Sequence, residues 1–212
     1  ESFGQKVNNA TSSMETVGKG MAAVGAAGGV MFGAALNSAA DFEQQMDFVG
    51  SALGGVGDGL GATEAQFASL SAQAMELGAS TQYSANQVGQ VQEALAKTGV
   101  SAEDLLSGAT SAVLDLSAAT GEDLVASANV AAGAMNTFGL SGEDLGRIAD
   151  VTTGALNNSS MSLADFSTGM NYLSPILAQT GGDFDDAAAA IAYFNSQGMK
   201  GADAGVSLAR MI

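Results

Sequence analysis

The chain has 212 residues, of which 47% are hydrophobic and 6% aromatic, and a formal net charge of −16 from 22 acidic and 6 basic side chains. It has no Cys and no His, which excludes disulfides, thiolate nucleophiles, Cys/His zinc sites and histidine general bases. The acidic balance opposes a sequence-independent grip on nucleic acid, and 29 glycines without a Gly period exclude collagen.

Residues 1–20 are polar and rich in Gly, Ser and Thr, with sparse apolar marks at Phe3, Val7, Met14 and Val17. Residues 21–36 are uncharged and built from small residues. Gly25, Gly29 and Gly33 stand four apart, so they share one helical stripe that permits close helix–helix approach. The run ends at Asn37-Ser38, short of the roughly 20 residues of a membrane span. Three readings follow: a self-packing helix, a conformationally labile segment, or a transmembrane helix. Residues 37–56 predict an amphipathic helix, with Ala39, Phe42, Met46, Val49 and Leu53 on one stripe. Gly54, Gly55, Gly57, Gly59 and Gly61 break it and form the best hinge candidate. All of the charge excess lies beyond Ala35, since Glu1 and Glu15 balance Lys6 and Lys19.

From residue 62 the pattern becomes regular. N-caps are predicted at Thr63, Ser84, Ser101, Thr120, Ser141, Ser162 and Asp183, and Gln or an acid follows each within three residues. Such side chains satisfy the unpaired N–H groups of a helix start, and early acids favour its positive end. The corresponding helices run to about Leu77, Lys97, Ser117, Phe138, Asn157, Leu177 and Gln197, and a last one starts near Asp203. Gly99–Leu105 and Gly139–Leu145 are near copies, read as reused helix punctuation rather than solenoid repeats. The expected fold is all-α: a Gly/Ala-rich helical arm and hinge over 1–61, then an acidic bundle of short helices with tight capped turns over 62–212.

The search for chemistry yields no catalytic, cofactor-binding or metal site. The acidic pairs Glu103/Asp104, Glu122/Asp123, Glu143/Asp144 and Asp185/Asp186 each fall in a predicted first helical turn. Sequence adjacency does not supply the cleft geometry of a glycosidase. Asp183-x-Asp185-Asp186 lacks the Gly and final Glu of a calcium loop. Gly25-Ala-Ala-Gly-Gly lacks the Gly-Lys-Ser/Thr of a phosphate loop. Phe138, Phe166, Tyr172, Tyr193 and Phe194 are expected in the core, and Arg147 and Arg210 are expected as ion-pair partners.

Several segments then fall in a familiar order: Phe42-Glu-Gln-Gln-Met-Asp-Phe-Val49, Leu77-Gly-Ala-Ser-Thr-Gln-Tyr-Ser-Ala85, Ala96-Lys-Thr-Gly-Val-Ser101, Leu116-Ser-Ala-Ala-Thr-Gly-Glu-Asp-Leu124, Asn136-Thr-Phe-Gly-Leu140 and Gly198-Met-Lys-Gly-Ala-Asp-Ala-Gly205. Together, over about residues 40–212, they resemble the core of the TP901-type phage tail tape-measure family. This chain is the more acidic.

The resemblance implies a structural, coiled-coil-rich virion protein rather than an enzyme. Such a protein helps set tail-tube length during assembly, anchors at the tail tip and is released around genome ejection. It implies self-association, with a trimer as one arrangement, and partners among tail-tube, tail-tip or baseplate hub proteins. It also implies contact with the host membrane during ejection, a place in the tube lumen near the distal tip, and host cytoplasm during assembly. The chain lacks an initiator Met and ends within a helical pattern, so it is read as a piece of a longer protein. Two rival classes are a membrane-perturbing helical effector, resting on residues 21–36, and a carboxylate enzyme, resting on the acidic pairs.

Overall fold

The chain folds around the ends of its helices as much as around their middles. The computed structural model describes residues 28–57 and 61–210. The described residues form an all-α fold, with one isolated parallel bridge between Val56 and Ala62. The chain divides into two compact units, Glu1–Glu43 and Gln44–Ile212.

Helix α1 is Gly28–Ala52. Gly29 and Gly33 lie one turn apart within it, and Gly25 lies outside the described residues. The expectation of a transmembrane helix is overturned: among the described residues no helix is long and apolar enough to cross a membrane. The apolar turns of α1 give way to Asn37, Ser38, Asp41 and Glu43, and charged groups in hydrocarbon are costly. The last turns of α1 belong to the second unit, where Met46 and Val49 are buried.

In the second unit, α2 is Glu64–Ser80 and α3 is Ala85–Lys97. Both start with reciprocal boxes. Thr63 accepts the Gln66 N–H at 3.1 Å while the Gln66 side chain accepts the Thr63 N–H at 2.9 Å. Ser84 and Gln87 repeat this at 3.3 and 2.9 Å. Gly99, at φ +95°, carries the chain out of α3.

The segment expected as one helix from Ser101 to about Ser117 is broken. A short α4, Ala102–Asp104, leads into a π-helical turn, Leu105–Ala109, and then α5, Thr110–Thr120. Ser101 caps α4.

Thr120 is not the cap of the next helix. It closes α5, donating its hydroxyl to the Leu116 carbonyl at 2.7 Å, and Gly121 follows in the left-handed region. The N-cap is Asp123, which accepts the Ala126 N–H at 2.9 Å and starts α6, Leu124–Phe138. The physical reason is that Gly121 supplies a helix C-terminus, which moves the next start three residues on.

A 3-10 turn, Gly142–Asp144, precedes α7, Leu145–Ser159. Ser162 caps α8, Leu163–Thr180, and Asp183 caps α9, Phe184–Ser196. Helix α10 is Gly201–Ala209.

Helix α2 packs on α3, α3 on α5 and α6, α5 on α7, α9 on α7 and α8, and α10 along α8. The core is made largely of Leu, Ile, Val and Ala, with Phe166 and Phe184 as its largest fully buried side chains. Phe184 meets Phe138 and Phe166 edge-on, at centroid distances of 5.9 and 6.5 Å. Two aromatics expected inside are outside: Tyr172 is 49% exposed and Tyr193 63%. At about 100° per residue, Tyr172 lies about 120° from the Phe166 stripe of α8, and Tyr193 roughly opposite the buried Ile191.

Small residues set a close crossing between α8 and α10. A Cβ on Gly205 of α10 would stand 2.7 Å from the Gly169 carbonyl oxygen and 2.9 Å from Tyr172 Cβ on α8. A Cβ on Gly133 in α6 would meet nothing within 4 Å. The two Gly→Ala substitutions should therefore have opposite signs. Gly133→Ala is expected to stabilise the chain by about 0.5–1 kcal/mol through helix propensity. Gly205→Ala is expected to destabilise it by about 1–3 kcal/mol, since it forces a methyl against backbone. Urea denaturation followed by circular dichroism reads both, and equal effects would contradict the crossing.

Candidate functional site

Cap chemistry places most of the acidic pairs. Asp104 accepts the Ser101 hydroxyl at 2.7 Å, and Asp165 accepts that of Ser162 at 2.9 Å. Asp144 accepts both the N–H and the O–H of Ser141, at 2.9 and 3.0 Å. Asp186 donates its N–H to Asp183 at 2.9 Å. Carboxylates used in this way sit at helix starts, where the backbone dipoles favour them. They do not face one another across a cleft. Among the described residues no group of three acidic side chains could hold a metal ion.

Three of the polar assemblies that reach between elements are built on carboxylates. In the first, Glu122 reaches 41 residues along the chain, and its Oε1 accepts the N–H of Leu163, the first residue of α8, at 3.0 Å. Its carbonyl accepts the Ser117 hydroxyl at 2.6 Å, and Ser117 Oγ accepts the Tyr83 hydroxyl at 3.0 Å. This chain ties the loop before α3 to α5 and to the start of α8. It borders an open groove of ≈ 510 Å³ lined by Gln82, Gln87, Gln90, Asp123 and Val125. The lining is amide, hydroxyl and carboxylate, with Val125 as an exposed apolar mark.

In the second, Glu93 on α3 accepts from Gln45 Nε2 at 2.7 Å and from Lys97 Nζ at 2.5 Å. Burial works to raise the Glu93 pKa. The hydrogen bonds from Lys97 and Gln45, with the Lys97 charge, outweigh it and leave the carboxyl below its ordinary value. In the third, Arg147 on α7 donates to Asp185 on α9 at 2.6 Å and stands 3.8 Å from Asp144. Asp144 is held below its ordinary value by the Ser141 N–H and O–H, with a smaller push from the Arg147 charge.

A smaller cleft of ≈ 100 Å³ lies over Phe166, Met170 and Phe184, rimmed by Asn129, Thr137 and Asn171. Pro175 lies inside α8 beside it, and it lacks the N–H that an α-helix directs at the carbonyl four residues back. None of these arrangements joins a nucleophile to a base. Each joins helix ends or helix faces, so what they can do is hold and present surface. Sequence reasoning missed Glu122 as a distant cap. Its only local signal is adjacency to Asp123, which is itself occupied at α6.

Residues 71–212 match the family described as phage-related minor tail protein. The chain is 30% identical over 148 residues to the "Tape measure protein" of Pneumococcus phage Dp-1, an alignment spanning 70% of this chain and 13% of that relative. No solved structure matches the chain.

Acid should test the carboxylate assemblies. Asp144 and Glu93 both have folded pKa values below their ordinary 3.8 and 4.5. Their stabilisation is therefore complete above those ordinary values and is lost as pH falls through the lowered ones. Ser141→Ala removes the hydroxyl donor that depresses Asp144, so its destabilisation relative to the unsubstituted chain should be larger at pH 7 than at pH 2.5. Urea midpoints at the two pH values check this, and a pH-independent difference would show that the Ser141–Asp144 contact is not linked to ionisation.

Proposed function

The chain belongs to the phage-related minor tail protein family, and on that premise we propose that it is the compact domain of a structural tail tape-measure protein, not an enzyme. The order and spacing of its motifs favour the TP901-type branch. In this reading the whole protein sets tail-tube length during assembly. The present domain anchors it at the tail tip, against tube and tip or baseplate hub proteins, and leaves around genome ejection. Self-association, with threefold copy number as one arrangement, suits a tip of that symmetry. The protein would then lie in the tube lumen near the distal tip, after assembly in the host cytoplasm.

One observation carries the division of labour. The alignment covers 13% of a tape-measure relative, and over that stretch this chain is a bundle of short capped helices. Even a wholly helical chain of this length would reach only roughly 320 Å, at about 1.5 Å per residue. A bundle reaches far less. The ruler must then be provided by residues outside it, and the bundle supplies a shape suited to docking. The net charge of −16 supports passage beside DNA, because like charge suppresses adhesion to a phosphate backbone.

The test is a deletion series in the parent gene, confined to helical stretches outside residues 40–212, with tail length measured by negative-stain microscopy. Tails should shorten by about 1.5 Å per deleted residue. Unchanged tails would remove the length-setting role.

A further inference from the structure

The run from Ser101 to about Ser117 reads as one helix and folds as two. Ser101 caps the start and no proline interrupts, yet Gly108 adopts φ +142° and ψ −9° and splits the run between α4 and α5. Gly108's immediate surroundings do not force this, because a Cβ there would meet nothing within 4 Å.

The constraint comes from other elements. Gln73 on α2 donates its Nε2 to the carbonyls of Leu105 and Leu106, at 3.2 and 3.3 Å. A continuous helix would pair these carbonyls internally. Thr110 Oγ1 adds a second donor to Leu105 at 3.0 Å. Gln92 on α3, 0% exposed, orients the Gln73 amide by donating to its Oε1 at 3.1 Å, and also donates to the Leu70 carbonyl at 3.2 Å. From the other side Asp104 packs on Gly142 so closely that a Cβ at 142 would overlap its side chain. The bent form is nevertheless incompletely satisfied, since the buried Gln92 Oε1 has no partner, a costly condition.

We infer that Gln73 and Gln92 form a clasp that holds the α4–α5 junction bent, and that release of the clasp lets residues 102–120 join as one straight helix. The junction is a two-state hinge inside the bundle. Straightening withdraws Asp104 from Gly142 and so couples α2 and α3 to the turn between α6 and α7. The inference does not depend on the tail-assembly reading.

The test uses the 212-residue chain, which has no native Cys. Spin labels are placed through Glu103→Cys and Ala119→Cys, both at exposed positions. A straight helix separates these positions by about 24 Å along its axis, and a bent path brings them closer. The unsubstituted clasp should give one shorter distance. Gly108→Ala, which disfavours the positive φ, and Gln73→Asn, which withdraws the donor, should each raise the population near the straight-helix distance severalfold. Should Gly108→Ala fail to fold, Gln73→Asn decides. An unchanged distance in folded Gln73→Asn overturns the inference. So does global loss of its helical signal, because the glutamine would then hold the bundle together rather than hold one junction bent.

Discussion

A bundle of short helices is governed by its termini. Each α-helix leaves four N–H and four C=O groups without internal partners, and here the helices after α1 are at most 18 residues long. A side-chain acceptor at a helix start contributes about 0.5–2 kcal/mol relative to Ala, and many short helices multiply that term. The chain answers locally at Thr63, Ser84, Ser101, Asp123, Ser141, Ser162 and Asp183, and across the fold at Leu163, where Glu122 supplies the acceptor. Left-handed residues close the other ends at Gly121, Gly139, Ser160 and Gly181. These paired devices fix where each helix starts and stops. The start and stop points in turn decide which faces meet.

Those faces are made mostly of small side chains. Ala128, Ala131, Ala187 and Ala188 are buried to within 1% of complete exclusion, alongside Leu, Val and Ile. Alanine removes little apolar area per residue, so cohesion depends on close backbone approach and on the number of contacts. The α8–α10 crossing at Gly169 and Gly205 shows the arrangement. Among the described residues, Phe138, Phe166 and Phe184 bring α6, α8 and α9 together. Tyr172 and Tyr193 are left on the surface.

How legible this was depended on sequence distance. Boxes such as Ser84/Gln87 act within three residues and can be read from the string. Thr120 was misread because two devices compete within four residues: Gly121 ends α5, and Asp123 begins α6. The break at Gly108 was not legible, because its causes lie at Gln73, Gln92 and Gly142, and glycine alone does not compel a bend. Helical class and most helix starts could be read locally. The bend, the Glu122 cap and the exposure of the tyrosines required packing. As for the candidate site, the sequence could indicate that the acidic pairs head helices, but not that Arg147 would bridge two of those heads through Asp144 and Asp185.

The acidity follows in part from the same constraint. Asp104, Asp123, Asp144, Asp165, Asp183 and Asp186 all sit in cap assemblies, so a chain punctuated in this way is negative before any partner is considered. Replacing these acids by Lys would reverse the favourable dipole interaction and remove acceptors, so their charge cannot drift freely to suit a docking surface. Charge elsewhere on the chain carries no such obligation. A partner that selects for this surface would therefore act mainly on the non-capping acids and on the groove residues Gln82 and Gln90. Their amides neither end a helix nor fill the core. The separation has a structural consequence: binding preference can change at those positions while helix register, set by the caps, stays in place.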